Sequence, residues 1–441
     1  MFQSAKAVTS RHDVLLVAYR AGTEVIAKGA LLIVTLVAAR RLSIEEFGIF
    51  ALGSTMGWVA AVATDLGMQV HLAREVARAP ERAGGLLERW LRVRVGTSVA
   101  ALAAIAAGIA LAEVSAPHGT ALLLVAAAYL LTGLVEFLHY FYRGLSRSDI
   151  ESTLTASQRL LTLGLAGAVL WQRPAVTNLA AAMLAAAAAA FIYSLRRATT
   201  MARASRASAS MREWTAERGT TFAHDVLPIG AGILLSALYF RVDIFLIQAW
   251  MGIEAVALYN AVFRLVEALR LFPAAVMAVA FPMLCRAVDA GPVVRTASLL
   301  SSAAGAVATA LWLGAGWIVP LLYGTVYAEA VPLFRVLLLA FPLMSLNYAL
   351  THQIIGWDRQ ARYTAVCGLA LGFNVALNAA MIPSLGVLGA AWSTVWTELL
   401  VTSGCLVALG VRSKHAPNLA SGSSRLSDVP NLSDSVIPPV A

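Results

Sequence analysis

Blocks of about nineteen or more predominantly apolar residues recur twelve times along this chain, and no other feature constrains its fold as tightly. A helix of about twenty residues crosses the ~30 Å hydrocarbon layer of a bilayer. Within that layer each backbone N–H and C=O needs a partner inside the chain, so blocks of this length are helices. Their approximate limits are 14–38, 47–70, 94–112, 119–141, 150–171, 176–195, 224–249, 254–284, 296–319, 329–352, 362–382 and 386–410. Only 13% of residues are charged and the mean hydropathy is +0.75, whereas soluble domains are about 25% charged. The expected fold class is an all-α polytopic membrane protein with twelve transmembrane helices. The first block is too long for a signal peptide, and no small-residue cleavage site follows it.

The net charge of +9 raises the question of a nucleic-acid partner. The basic residues lie between apolar blocks rather than on one soluble face, so none is expected. With the N-terminus inside, the inner segments carry 23 Lys and Arg residues. The outer loops carry 3, namely Arg40, Arg41 and Arg173. This asymmetry alternates loop by loop, as the positive-inside rule requires, and puts both termini in the cytoplasm. Such a multi-pass protein belongs in a bacterial cytoplasmic (inner) membrane. Cys285, Cys367 and Cys405 lie in or beside apolar blocks and have no metal-ligand spacing, so neither a disulfide framework nor a metal site is expected.

A basic, Ser/Ala-rich stretch at 196–222 divides the chain into six blocks plus six. The expected organisation is an N-terminal lobe at 1–195, a cytoplasmic linker at 196–222, a C-terminal lobe at 223–410 and a disordered tail at 411–441. The halves echo each other: "RLSIEEFGIFALG" enters block 2 and "WMGIEAVALYNAV" enters block 8. Six helices per half give both copies the same orientation in the membrane. That is a pseudo-twofold repeat about the membrane normal, with a site expected where the repeats meet. Ser43 and Glu46 form a capping box at the start of block 2.

Several ionisable residues lie inside these blocks, where each costs at least ~2.5–3.5 kcal/mol to insert. Arg20, Glu24 and Lys28 are four residues apart and fall within about 80° of one another on one helix face. Lys28 is about 21 Å from the inner end, too deep to snorkel, so its face looks into a bundle or a wet cleft. Arg264, Glu267 and Arg270 form a second set, with Arg264 at a similar depth. Glu24 and Glu267 balance part of this charge. Arg241 and Asp243 point about 200° apart, so each needs a partner on another helix, for Asp243 a cation from block 1 or block 8. Asp65 is a gate or capping candidate at the inner end of block 2. Arg74 and Arg78 read as a solvated face or a cytoplasmic gate. Glu136 and His139 share a face and read as a buried, satisfied polar pair, with a proton site as the alternative.

Three segments carry a family likeness. "ARRLSIEEFGIFAL…ATDLGMQVHLAREVAR" (Ala39 to Arg78), "FRVDIFLIQAWMGIEAVALYNAVFRLVEAL" (Phe240 to Leu269) and "LNAAMIPSLGVLGAAWSTVWTELL" (Leu377 to Leu400) resemble, in order, motifs of the oligosaccharide flippases (Wzx-like, polysaccharide transport) of the MOP exporter superfamily. The resemblance implies two six-helix lobes forming a V that opens to one side at a time. It also implies a cavity lined by basic residues and an undecaprenyl-pyrophosphate-linked oligosaccharide as cargo, the repeat unit of an O-antigen, exopolysaccharide or capsule. Polysaccharide polymerase and assembly proteins are the implied partners, together with membrane lipids. Multidrug exporters and peptidoglycan lipid II flippases of the same superfamily are the alternatives.

Set against that cargo, Arg20, Lys28, Arg264 and Arg270 form a candidate clamp for pyrophosphate. A pocket for cationic drugs should be dominated by acids, whereas blocks 1 and 8 hold four cations and two acids. No outer loop is long enough for a catalytic domain and no nucleophile or cofactor motif is present. Transport without chemistry, and without a cofactor, is therefore the expected activity.

Overall fold

A computed structural model of the protein describes residues 11–207, 227–286, 291–357 and 359–410. They form fifteen α-helices and two short 3-10 turns. The first half of the chain supplies α1 (Arg11–Arg41), α2 (Ile44–Asp65), α3 (Met68–Arg78), α4 (Ala83–Leu111), α5 (Ala116–Gly144), α6 (Ser148–Gln172) and α7 (Val176–Ala207). The second half supplies α8 (Leu227–Tyr239), α9 (Val242–Met251), α10 (Ile253–Leu269), α11 (Leu271–Arg286), α12 (Gly291–Tyr323), α13 (Val331–Gly356), α14 (Gln360–Leu385) and α15 (Val387–Gly410). Among the described residues, ten helical stretches are long and apolar enough to span a membrane. Two of the twelve predicted blocks fall short of that measure. One is α6, which carries Asp149, Glu151 and Arg159, and the other is the α10–α11 pair, interrupted at Arg270.

Element boundaries follow local chemistry. Ser43 accepts the Glu46 N–H at 3.1 Å, and the Glu46 carboxylate accepts the Ser43 N–H at 3.4 Å, so the predicted capping box starts α2. Glu46 also accepts the Val176 N–H at 3.2 Å, which ties the start of α2 to the start of α7. The predicted block 47–70 is not one helix. Leu66 (φ 44°) and Gly67 (φ 82°) adopt left-handed backbone and turn the chain into α3. α4 starts at Ala83, well before the predicted 94, so Arg94 lies within a bundle and not in a loop. The first part of the predicted linker is likewise helical, because α7 runs on to Ala207. The rest of that linker and the tail at 411–441 lie outside the described residues.

The shape follows from where apolar side chains are buried. At the predicted outer end one core is shared by both halves, with Phe47, Phe50 and Val125 packed among Val256, Tyr259, Phe334 and Tyr327. At the predicted inner end it divides. Leu72, Val76, Phe137 and Phe141 form one core in the first half, and Met277, Leu300, Leu350 and Ile354 form another in the second. One shared core and two separate ones make a V that is closed at the predicted outer end and open at the predicted inner end.

The two sequence echoes meet at the closed end. A Cβ placed on Gly48 of α2 would fall 2.2 Å from the Ile253 carbonyl oxygen at the start of α10, so only glycine admits this approach. Two arginines in the last turn of α1 add to the closure. Arg40 donates to the Leu321 and Leu322 carbonyls at the C-terminal end of α12, at 2.8 Å for Leu322. Arg41 donates to the Leu170 and Trp171 carbonyls at the end of α6, at 3.2 and 3.0 Å. Both are C-terminal caps, engaging carbonyls that their own helices leave unsatisfied. Arg40 makes its cap across the two lobes.

Candidate functional site

Between the arms of the V lies a cavity of about 580 Å³ lined by charged residues from α1, α5, α6, α10 and the break between α10 and α11. Its two walls are built differently. On the N-lobe wall, Lys28 contacts Glu24 one helical turn earlier at 3.0 Å, and about half of each side chain is exposed. Arg143 in the last turn of α5 holds Glu151 of α6 through two guanidinium nitrogens, with Nε to Oε2 at 2.6 Å. Arg159 of α6 lies 3.8 Å from Glu136 of α5. Three cations thus face three carboxylates, each with a close neighbour of opposite sign.

The C-lobe wall is built on two helix breaks. The chain interrupts helix at Phe240–Arg241, between α8 and α9, and again at Arg270, between α10 and α11. Glu267 accepts both carboxylate bonds from Arg241 Nη2 at 2.8 Å and one from Arg264 Nη1 at 2.8 Å. Arg241 is only 3% exposed and lies behind the cavity surface, where it buttresses Glu267. Arg270 has no carboxylate within 4 Å among the described residues, and its guanidinium stacks on the Phe240 ring at 4.3 Å. Arg241 and Arg270 flank the same ring, Arg241 at 5.8 Å. Two cations and one carboxylate therefore line this wall, with a third cation directly behind it.

Lys28, Arg264, Arg270, Glu24 and Glu267 thus line one cavity. The side chain of Arg20 lies outside the described residues. Asp243 differs from its expected role: its partners are the Tyr259 hydroxyl and the Ile244 N–H at 2.9 Å, so a tyrosine of α10 replaces the expected cation. A phenol neutralises nothing, but it donates a hydrogen bond without bringing a second charge into the core. Asp65 serves as the joint after α2. Its carboxylate accepts the Gly67 and Gln69 N–H groups at 3.1 and 3.3 Å, and Arg94, 2% exposed, lies 3.8 Å away. Arg94 also donates to Thr64 and, at 2.8 Å, to the Ala61 carbonyl. Arg74 is exposed on α3, and Arg78 pairs with Glu75 at 3.3 Å on the same solvated face, away from the cavity. Glu136 and His139 do not pair with each other. Glu136 faces the cavity, and His139 is buried with its Nδ1 3.3 Å from the Thr155 hydroxyl.

Three cavity residues were not singled out by sequence: Arg143, Glu151 and Arg159. Arg143 reads as a loop charge because it ends a helix. For α6 a signal exists, since Glu151, Thr155, Arg159 and Thr162 follow one another at three- and four-residue spacing within an otherwise apolar block. That spacing puts them on one face. Among the described residues no cluster of three His, Cys, Asp or Glu side chains could hold a metal ion. Cys367 and Cys405 are buried and unpaired.

Three solved structures share this architecture. An inward-facing multidrug resistance MATE family transporter of the MOP superfamily matches with TM-score 0.66 and 14% identity, over 86% of this chain and 93% of that one. The lipid II flippase MurJ in an inward closed conformation matches with TM-score 0.64 and 10% identity, over 90% and 87%. A MOP superfamily transporter from Pyrococcus furiosus, described by the reverse polarity of its binding pocket, matches with TM-score 0.60 and 14% identity, over 89% and 94%. At these identities the likeness is one of fold. No curated protein sequence matches the chain. The profile of the polysaccharide biosynthesis protein family matches residues 17–288, more than half of the chain. This multi-pass membrane protein, with the helical fold of the MOP transporters, therefore belongs to the polysaccharide biosynthesis protein family.

Proposed function

We propose that the protein flips a lipid-linked oligosaccharide, carried on undecaprenyl pyrophosphate, from the inner to the outer leaflet of the cytoplasmic membrane. The observation that carries this reading is the cavity between the lobes, in which the excess of positive charge is concentrated on one wall. A pyrophosphate needs several charge-assisted hydrogen bonds to leave water. Arg264 and Arg270 supply guanidinium forks for it on the C-lobe wall, and Lys28 adds a point charge from the facing lobe. The paired N-lobe wall, with its carboxylates and the Thr155 hydroxyl, suits the hydroxyl-rich glycan. The family match and the flippase among its structural relatives support the same class of cargo.

The steps are those of alternating access. The headgroup enters from the inner side while the prenyl tail stays in lipid. Phosphate docks on the cationic wall, and the lobes then rock so that the closed end opens and the inner arms meet. Outward opening requires Arg40 to release the α12 carbonyls and Phe47 to leave Tyr327, against which its ring packs edge-on at 5.9 Å. No bond is made or broken in the cargo, so the protein acts as a transporter and not as an enzyme. Five lining cations against four carboxylates do not suit the cationic substrates of a drug exporter.

The test is surface glycan display in a flippase-null host at matched protein level. Lys28→Gln combined with Arg264→Gln should abolish display, while each single change should reduce it. Full display by the double variant would sink the reading.

A further inference from the structure

A second basic site lies outside the central cavity, on the outer flank of the N-lobe at its predicted inner end. A groove of about 490 Å³ runs between the start of α6 and the last turns of α7. Tyr193, Arg196, Arg197 and Thr200 of α7 line it at i, i+3, i+4 and i+7, which puts all four on one helix face. Arg147 closes the other side. We infer that this groove binds the phosphate headgroup of an anionic phospholipid of the inner leaflet.

Charge, depth and shape each support the assignment. Of the three guanidiniums only Arg147 has a carboxylate partner, Asp149, through Nε to Oδ1 at 3.0 Å and Nη2 to Oδ2 at 2.9 Å. These bonds hold the Asp149 carboxyl below its usual range, so it stays ionised and balances one charge. Arg196 and Arg197 have no carboxylate within 4 Å among the described residues. Among the described residues Arg197 meets only the Tyr193 hydroxyl, at 3.4 Å, and two positive charges are left without counterions. From Val176, twenty residues of helix rise about 30 Å, so Arg196 stands where hydrocarbon gives way to headgroups. One turn deeper, Ile192 and Tyr193 are 50% and 54% exposed and offer the acyl chains an apolar wall. Basic pockets between membrane helices on the cytoplasmic side hold anionic headgroups in this way.

The groove communicates with the cavity through one helix. Ile150 of α6 lines the groove, and its neighbour Glu151 lines the cavity, where it is held by Arg143. A lipid seated at the start of α6 therefore fixes the depth and rotation of the helix that carries Glu151 and Arg159.

The experiment uses the full-length chain, delipidated in dodecyl maltoside and titrated with dioleoyl phosphatidylglycerol or dioleoyl phosphatidylcholine. Bound lipid is counted by native mass spectrometry. The intact protein should take phosphatidylglycerol in preference to phosphatidylcholine, and excess inorganic phosphate should not displace it. Arg196→Gln with Arg197→Gln should lower phosphatidylglycerol affinity about 25-fold, from about five-fold per arginine near an anionic surface. Arg295→Gln, an exposed arginine of α12 in the other lobe, should leave it unchanged. Thr200→Trp fills the groove without removing charge and should also reduce binding, which covers the case of a double variant that does not fold. Unchanged affinity in both groove variants overturns the site, as does an equal loss in Arg295→Gln. Displacement by inorganic phosphate would make it a soluble-anion site and overturn the lipid assignment.

Discussion

The two walls of the cavity hold similar residues and use them in opposite ways. On the N-lobe wall each cation has its own carboxylate: the Lys28–Glu24 and Arg159–Glu136 pairs are partly exposed to the cleft, and Glu151 is buried against Arg143. An exposed pair such as Lys28–Glu24 contributes about 0–1 kcal/mol. On the C-lobe wall Arg241 and Arg264 share one glutamate, each bonded to it at 2.8 Å, and Arg270 keeps its charge for the cleft. Removing one member of a buried, bonded set costs about 3–5 kcal/mol, because the others are left uncompensated. The first wall is polar but electrically quiet, and the second is a loaded surface. Counting charges along single helices does not separate them, because the distinction lies in which cations are already partnered.

The largest effect should come from Arg241→Leu. It deprives Glu267 of the two hydrogen bonds from Arg241 and should lower stability by about 3 kcal/mol, read as a fall in detergent melting temperature, and abolish transport. A melting temperature close to that of the parent would show that Arg264 alone supports Glu267 and that the contrast between the walls is overdrawn. Next, Arg270→Gln should weaken binding of a soluble prenyl-pyrophosphate analogue about 10- to 100-fold, the range of a bond to a charged group. Stability should change by no more than about 1 kcal/mol, the worth of the stacking on Phe240. An unchanged affinity would remove Arg270 from the phosphate site. The joint change Arg159→Gln with Glu136→Gln deletes a whole pair from the quiet wall. It should leave analogue affinity within about two-fold of the parent while altering glycan preference in a transport assay. A loss as large as that of Arg270→Gln would make the two walls equivalent. One effect is of opposite sign: Glu24→Gln frees Lys28 and should strengthen analogue binding two- to five-fold, about 0.5–1 kcal/mol.

How much of this could be read from the residues depends on the range of the interaction involved. Helices and their approximate membrane limits are written in local hydropathy, and the Ser43–Glu46 cap is written in four residues. The meeting of Lys28 with Arg264 could be argued because both were too deep and too charged to face lipid. What could not be read was the pairing. Arg94 and Arg143 sit at block edges, where a loop charge and a buried charge look alike, so the burial of Arg94 against Asp65 and Thr64 was hidden. The tyrosine partner of Asp243 was equally hidden, since a buried carboxylate accepts a hydroxyl as well as a cation. The break at Phe240–Arg241 falls within a continuous apolar block with no proline or glycine to announce it, whereas Pro273, which has no N–H to give the Leu269 carbonyl, marks the break at Arg270.

Arg40 and Arg41, two of the three charges on the wrong side of the positive-inside count, are both occupied in the finished protein by helix-end carbonyls. Chain order gives this a consequence for biogenesis. The hairpin of α1 and α2 emerges from the ribosome long before α6, and longer still before α12, so with the N-terminus inside, as the charge count predicts, both guanidiniums would cross the membrane before their acceptors have been synthesised. The early hairpin is thus held in place by inner charges such as Arg74, Arg78 and Arg82, and its outer tip is secured only when the second half arrives. Closure of the outer end is therefore a late step of assembly, and a chain truncated before α12 would lack the acceptors that Arg40 needs to join the two lobes.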